Sequence, residues 1–204
     1  MTNKERTFYH ATWSGNVDSI QKKGIVPKKL ENADKIVDTI LAEYGESRET
    51  VPKYYWHYPL LRLQETADEV YISGDRDYAI CNCLAGFEAE TQLRSHLEAR
   101  RKKKKFKYLT TEEALKREMP CSVCNIKLKE NEIPREQMEE FKDRAKALAV
   151  WSPDKFKTEQ EALDYILSKV TLVLNKKGIP KERITKCEFV GREEDFVKCG
   201  LRSE

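Results

Sequence analysis

The tightest constraint on this chain lies between Phe8 and Pro27, where the apolar spacing switches from a period of two to a helical one. Phe8-Tyr9-His10-Ala11-Thr12 is rich in aromatic and small residues. As a strand it puts Phe8, His10 and Thr12 on one face and Tyr9 and Ala11 on the other. Ser14-Gly15-Asn16 breaks the strand and offers side chains that cap helices. Val17 and Ile20 then form a one-sided apolar stripe, Gly24 is a helix stop, and Pro27 stands just beyond it. The unit predicts a histidine at a strand end beside a helix N-terminus, a place suited to a polar or anionic ligand. The plainer alternative is a histidine whose bonds serve only its own structure.

The same two periods alternate along the rest of the chain. Leu30, Ala33, Val37, Ile40, Leu41 and Tyr44 recur at helical spacing before Gly45. Residues 46–68 are polar, then aromatic through Tyr54-Tyr55-Trp56-His57-Tyr58-Pro59, which predicts a packed loop or the wall of a binding cleft. Arg48, His57 and Arg62 are the polar residues there with the reach to meet a ligand. Glu69–Ser73 predicts a second strand, broken at Gly74-Asp75, with a helix from about Asp77 through Phe87 toward Leu97. Thr110 to Glu113 begins a short capped helix ending near Pro120. Cys121–Leu128 predicts a strand with Cys124, Ile126 and Leu128 on its apolar side, and Met138, Phe141, Ala145 and Leu148 stripe an amphipathic helix after Pro134. Thr158 with Glu161 caps another helix, Val170–Leu174 has the continuous apolar run of a buried strand, and Ile184–Val190 is the last strand. No internal repeat and no glycine-rich phosphate loop occurs. The expectation is an α+β single domain over residues 1–204, with a mixed or antiparallel sheet and flanking helices.

Charge and cysteine usage narrow the class. Charged residues make up 36% of the 204 but balance to +3, so the chain is a highly charged globular protein rather than a basic or acidic tail. No apolar run is long enough to cross a bilayer, and MTNKERTFYH lacks the apolar stretch of a secretory signal, so the expectation is cytoplasmic. Arg100, Arg101, Lys102, Lys103, Lys104 and Lys105 form a basic run, with Lys107 just after it; it is either solvated surface or a patch that meets phosphates. Cys81 and Cys83, with Cys121 and Cys124, would supply four zinc ligands in number. Each pair points to different sides of its element and neither has the glycines of a zinc knuckle, so buried free thiols of a reducing cell are expected.

Three stretches, in order, resemble the ADP-ribosyltransferase superfamily of the H-Y-E type. Tyr9-His10-Ala11-Thr12 with Gly24-Ile25-Val26-Pro27 is similar to that family's opening H-x-T strand, helix and turn. Val70-Tyr71-Ile72-Ser73 followed by Asp77-Tyr78-Ala79 is similar to its tyrosine strand and following helix. Val170–Leu174 with Gly178-Ile179-Pro180 and Ile184 is similar to its late strand and turn. The resemblance implies an ADP-ribosyltransferase-like split sheet and NAD as substrate. His10 would bond a ribose hydroxyl, and Tyr71 and Tyr78 would sandwich the nicotinamide, with Ala11, Thr12 and Ser73 completing the NAD site. An aromatic face suits a planar cationic ring, and a neutral imidazole can donate to a hydroxyl. The family's late-strand glutamate would fall at Val170 or Thr171, which carry no carboxylate, and Ala11 stands where glycine is commoner. Glu188, one strand on, is the carboxylate that joins His10 and Tyr71 as catalytic; Glu69 lies before Tyr71 but off the motif position.

The implied function is transfer of ADP-ribose from NAD to a protein or nucleic-acid acceptor, with release of nicotinamide. Two alternatives stand beside it. One is an RNA 2′-phosphotransferase-like enzyme on the same scaffold. The other is a non-enzymatic nucleic-acid module that uses the basic run and the aromatics at 54–58.

Overall fold

A computed structural model describes residues 4–27, 29–84, 89–103, 121–175 and 178–190. The expected helix at 110–119, Phe87, Lys104, Lys105, Lys107 and Cys199 lie outside them. Among the described residues the chain forms β1 (Glu5–Trp13), α1 (Val17–Lys23), α2 (Ala33–Glu43), α3 (Lys53–Glu65) and β2 (Glu69–Ser73). There follow α4 (Arg76–Leu84), α5 (Ala89–Arg101), β3 (Cys121–Lys129), α6 (Arg135–Trp151), α7 (Glu159–Leu167), β4 (Thr171–Asn175) and β5 (Ile184–Val190). The class is α+β, and the sheet is antiparallel throughout, in the order β4-β2-β1-β3-β5.

The alternation of each strand divides the apolar side chains between two layers. Phe8, Val70, Ile72, Cys124, Ile126 and Leu172 meet α6 and α7, whose Phe141, Ala145, Ala162 and Ile166 complete the main core. The opposite face carries Cys121, Val123 and Val190 under Ile80 of α4. A third cluster is distinct from the two on the sheet: Val37, Ile40 and Leu41 of α2, Leu60 and Leu63 of α3, and Leu93 and Leu97 of α5 pack together. The molecule is thus a two-faced sheet with a helical lobe inserted around β2.

Several expectations are corrected. Residues 53–65 are a helix, not a loop, and Pro59 lies inside it. The helix expected from Asp77 toward Leu97 is described on either side of residues 85–88, as α4 and α5. The strand at 170–174 is an edge strand rather than an interior one. Leu172 is buried on its inner face, but the outward backbone of Val173 is met by a side chain. Gln137 of α6 donates to the Val173 carbonyl at 2.6 Å and accepts from its N–H at 3.1 Å, so an amide covers the open edge.

The cysteines are not free thiols: Cys83 bonds Cys121, Cys124 bonds Cys187, and Cys81 is disulfide-bonded as well. The register explains one pair, since Cys124 and Cys187 are direct partners on β3 and β5. Disulfides persist in oxidising compartments and in intracellular proteins of heat-adapted organisms, and the expectation of buried free thiols is corrected.

Two glycine turns close the fold. Ile25 and Ile179 form a two-residue antiparallel clip, with bonds of 2.9 and 2.8 Å. The preceding Gly24 and Gly178 both have positive φ, and a Cβ on either would sit 2.1 to 2.3 Å from the facing carbonyl oxygen.

Candidate active site

The seams on either side of β1 are unlike. Toward β3 all nine residues of β1 have partners, but toward β2 a single pair, Tyr9 with Ser73, is in register. Beyond that pair the strands part, and an imidazole bridges the opening. His10 Nδ1 donates to the Tyr71 carbonyl at 2.9 Å. A carbonyl can only accept, so the proton is on Nδ1 and Nε2 of the neutral ring is an acceptor.

The turn after β1 holds itself. Asn16 donates to Thr12 Oγ1 at 3.1 Å, and the Ser14 and Ser122 hydroxyls are 2.5 Å apart. Neither Ser14 nor Asn16 therefore caps α1, which has only seven residues.

The turn after β2 is equally well held and sets the second tyrosine. Gly74 passes so close to the end of α7 that a Cβ would lie 1.9 Å from the Leu167 carbonyl oxygen. Ser73 Oγ accepts from the Asp75 N–H at 3.0 Å, and Asp75 Oδ1 accepts from the Tyr78 N–H at 3.1 Å, which caps α4. Lys169, 2.6 Å from Asp75, draws that carboxyl below its ordinary range, helped by the Tyr78 N–H and opposed by burial. Tyr78 is left half exposed at the rim.

These features bound an open cleft of about 900 Å³ between the opened β1–β2 seam and the helical lobe. Its lining includes His10, Ala11, Thr12, Tyr71, Ser73 and Tyr78, so all six residues assigned to NAD by the resemblance border one space. Thr171, where the family's glutamate would fall, is there too, paired with Ser73. Of the three polar residues singled out near the aromatic run, Arg62 lines the cleft. Arg48 is bound instead to Asp34 and Asp38 and lies over the Trp56 ring, while His57 packs edge-on against Trp56.

Glu188 is not brought to this cleft. It lies in the row Ala11–Val123–Glu188, two strands from β1 and so roughly 10 Å away. Its carboxylate accepts from Lys186 at 2.7 Å and Arg76 at 3.1 Å. Lys186 above all, then Arg76, hold it below the ordinary carboxylate range against the effect of burial. Two carboxylates do line the cleft: Glu65, held by Arg62 at 2.8 Å, and Glu69, two residues before Tyr71 on β2 and on the same face. The Tyr71 hydroxyl donates to Glu69 Oε2. Burial first, then the bond to Glu69 and its charge, push the Tyr71 phenol up to about 12, so it stays a proton donor at neutral pH. The signal was in the sequence: a spacing of two on a strand puts both groups on one face.

The described part of the basic run closes α5. Arg100 donates to the Thr50 carbonyl at 2.9 Å and faces Glu46 at 3.5 Å, while Arg101, Lys102 and Lys103 are exposed. Among the described residues no helix is long and apolar enough to cross a membrane, and no cluster of side chains is arranged to hold a metal ion. No family model, curated protein or solved structure matches the chain.

Proposed function

We propose that the protein is an NAD-dependent ADP-ribosyltransferase. The observation that carries this is the convergence of His10, Ala11, Thr12, Tyr71, Ser73 and Tyr78 on one cleft of dinucleotide size. In this reading the tyrosine rings receive the nicotinamide, a planar cation suited to an aromatic face. His10, tethered to the Tyr71 carbonyl, accepts from a ribose hydroxyl through Nε2. The bond between ribose carbon and nicotinamide nitrogen breaks, nicotinamide leaves with the electron pair, and positive charge develops on the ribose. Of the two carboxylates in the cleft, Glu65 is paired with Arg62, and Glu69, held by the Tyr71 hydroxyl, stabilises that charge and takes the proton of the attacking acceptor. Glu188, already committed to Arg76 and Lys186, is left with a structural part.

The test is NAD binding by calorimetry beside an assay of nicotinamide release. Binding with release that rises when acceptor is added is the expected result. No heat of binding at millimolar NAD, and no release, would overturn the reading.

A further inference from the structure

Helix α3 carries two unlike faces. Pro59, Leu60 and Leu63 are buried in the helical lobe, whereas Tyr54, Tyr58, Leu61 and Arg62 are exposed on the other side. Tyr54 and Tyr58 are 66% and 56% exposed, far more than a tyrosine kept for packing needs to be. The two ends of this face lead to different places. Tyr58 and Arg62 line the cleft. Tyr54 lies near the end of α5, where Arg100 binds the Thr50 carbonyl and acts on the Tyr54 phenol electrostatically. Lys53, Arg101, Lys102 and Lys103 are exposed at that end. Several acids around this face are engaged: Glu65 by Arg62 at 2.8 Å, Glu46 by Arg100 and by the Thr50 hydroxyl at 2.7 Å, and Glu98 by Lys102 at 3.8 Å.

A row of exposed aromatic rings between a cationic end and a cleft matches one kind of polymer. Bases stack on rings irrespective of sequence while the phosphates meet Lys and Arg. A folded acidic protein would satisfy the cations but leave the tyrosine faces in water. We propose that this face of α3, with the end of α5, is the docking track for the acceptor, a single-stranded nucleic acid. Its phosphates meet Lys53, Arg101, Lys102 and Lys103, its bases stack on Tyr54 and Tyr58, and its reacting nucleotide enters beside Arg62. The role as acceptor rests on the NAD reading above; the binding itself does not.

The test is fluorescence anisotropy on the whole chain with labelled single strands of DNA and of RNA, each about twelve nucleotides long. A duplex of the same sequence and an acidic peptide serve as competitors. Tighter binding of the single strand than of either competitor is expected, and the DNA and RNA arms separate the two sources. With four phosphates neutralised, affinity falls roughly fifty-fold between about 50 and 200 mM salt. Tyr58→Ala weakens binding about tenfold, and Arg101→Glu with Lys102→Glu cuts the salt dependence by about half or more, whereas Trp151→Ala, an exposed ring at the end of α6, changes nothing. Equal binding of duplex, preference for the peptide, or an equal loss in Trp151→Ala would overturn the track. If the strand binds but no nicotinamide is released, the track stands and the NAD reading falls. If nicotinamide is released but no strand binds, the reverse holds.

Discussion

The two seams of β1 use one strand in opposite ways. Against β3 it is a closed ladder of nine partners, with the Phe8–Ile126 pair fully buried at its middle. Against β2 it keeps the Tyr9–Ser73 pair and then opens, with His10 donating to Tyr71 across the gap. Closure satisfies backbone groups with backbone and leaves nothing for a ligand; opening leaves polar groups to be met by side chains or by whatever enters. The difference assigns stability to one edge of the strand and chemistry to the other, at residues only two apart.

Substitutions on either side of that divide should separate cleanly. Phe8→Ala empties a fully buried site and should cost about 3 to 5 kcal/mol, lowering the midpoint of thermal unfolding by about 10 °C or more. Glu69→Gln should leave that midpoint within a few degrees. It should cut nicotinamide release by about 10² to 10³, the range for removing one preorganised electrostatic partner, with little change in the Kd for NAD. His10→Ala should cost roughly a hundredfold in release and also weaken NAD binding. A melting loss as large as that of Phe8→Ala would show the open seam to be structural and end the comparison.

The smallest effect lies at the far end of β1. There Arg6 joins Glu130 at 2.6 Å and Asp164, and Lys4 reaches Asp164 at 2.7 Å. Burial alone would raise the Asp164 carboxyl, but donors from Lys4, Arg6 and Gln160 outweigh it and hold it at about 2, below the ordinary 3.8. A depressed acid stabilises the fold above its unfolded value and loses that contribution as pH falls through the folded one. Denaturant midpoints should therefore decline between about pH 4 and pH 2. Asp164→Asn should flatten that decline, while the pH dependence of the cleft is untouched.

Much of this frame was legible in the sequence. The alternation at 8–12, the glycine and proline stop at 24–27, the faces of β3 and the stripe of α6 depend on local spacing, and spacing is what a sequence shows. Helix α3 was not legible. Its Tyr-Tyr-Trp-His-Tyr-Pro run has weak helix formers and a proline that removes a donor, and it is helical because Leu60 and Leu63 pack against α2 and α5. The six cleft residues were found through resemblance, but Glu69 was passed over for Glu188. The resemblance pointed to a late strand, and only the sheet order places β5 two strands from the cleft. The disulfide between Cys124 and Cys187 likewise follows from register, which spacing within one strand does not reveal.

The clip between Ile25 and Ile179 has a consequence for the order in which the molecule can be made. Gly24, Ile25 and Val26 form part of the cleft wall, yet their backbone partner comes from far along the chain. During synthesis the N-terminal segment waits, its turn unfinished, until Ile179 has left the ribosome. The cleft is therefore among the last features to be completed, and a nascent chain exposes His10 and Tyr71 before it can hold a ligand between them.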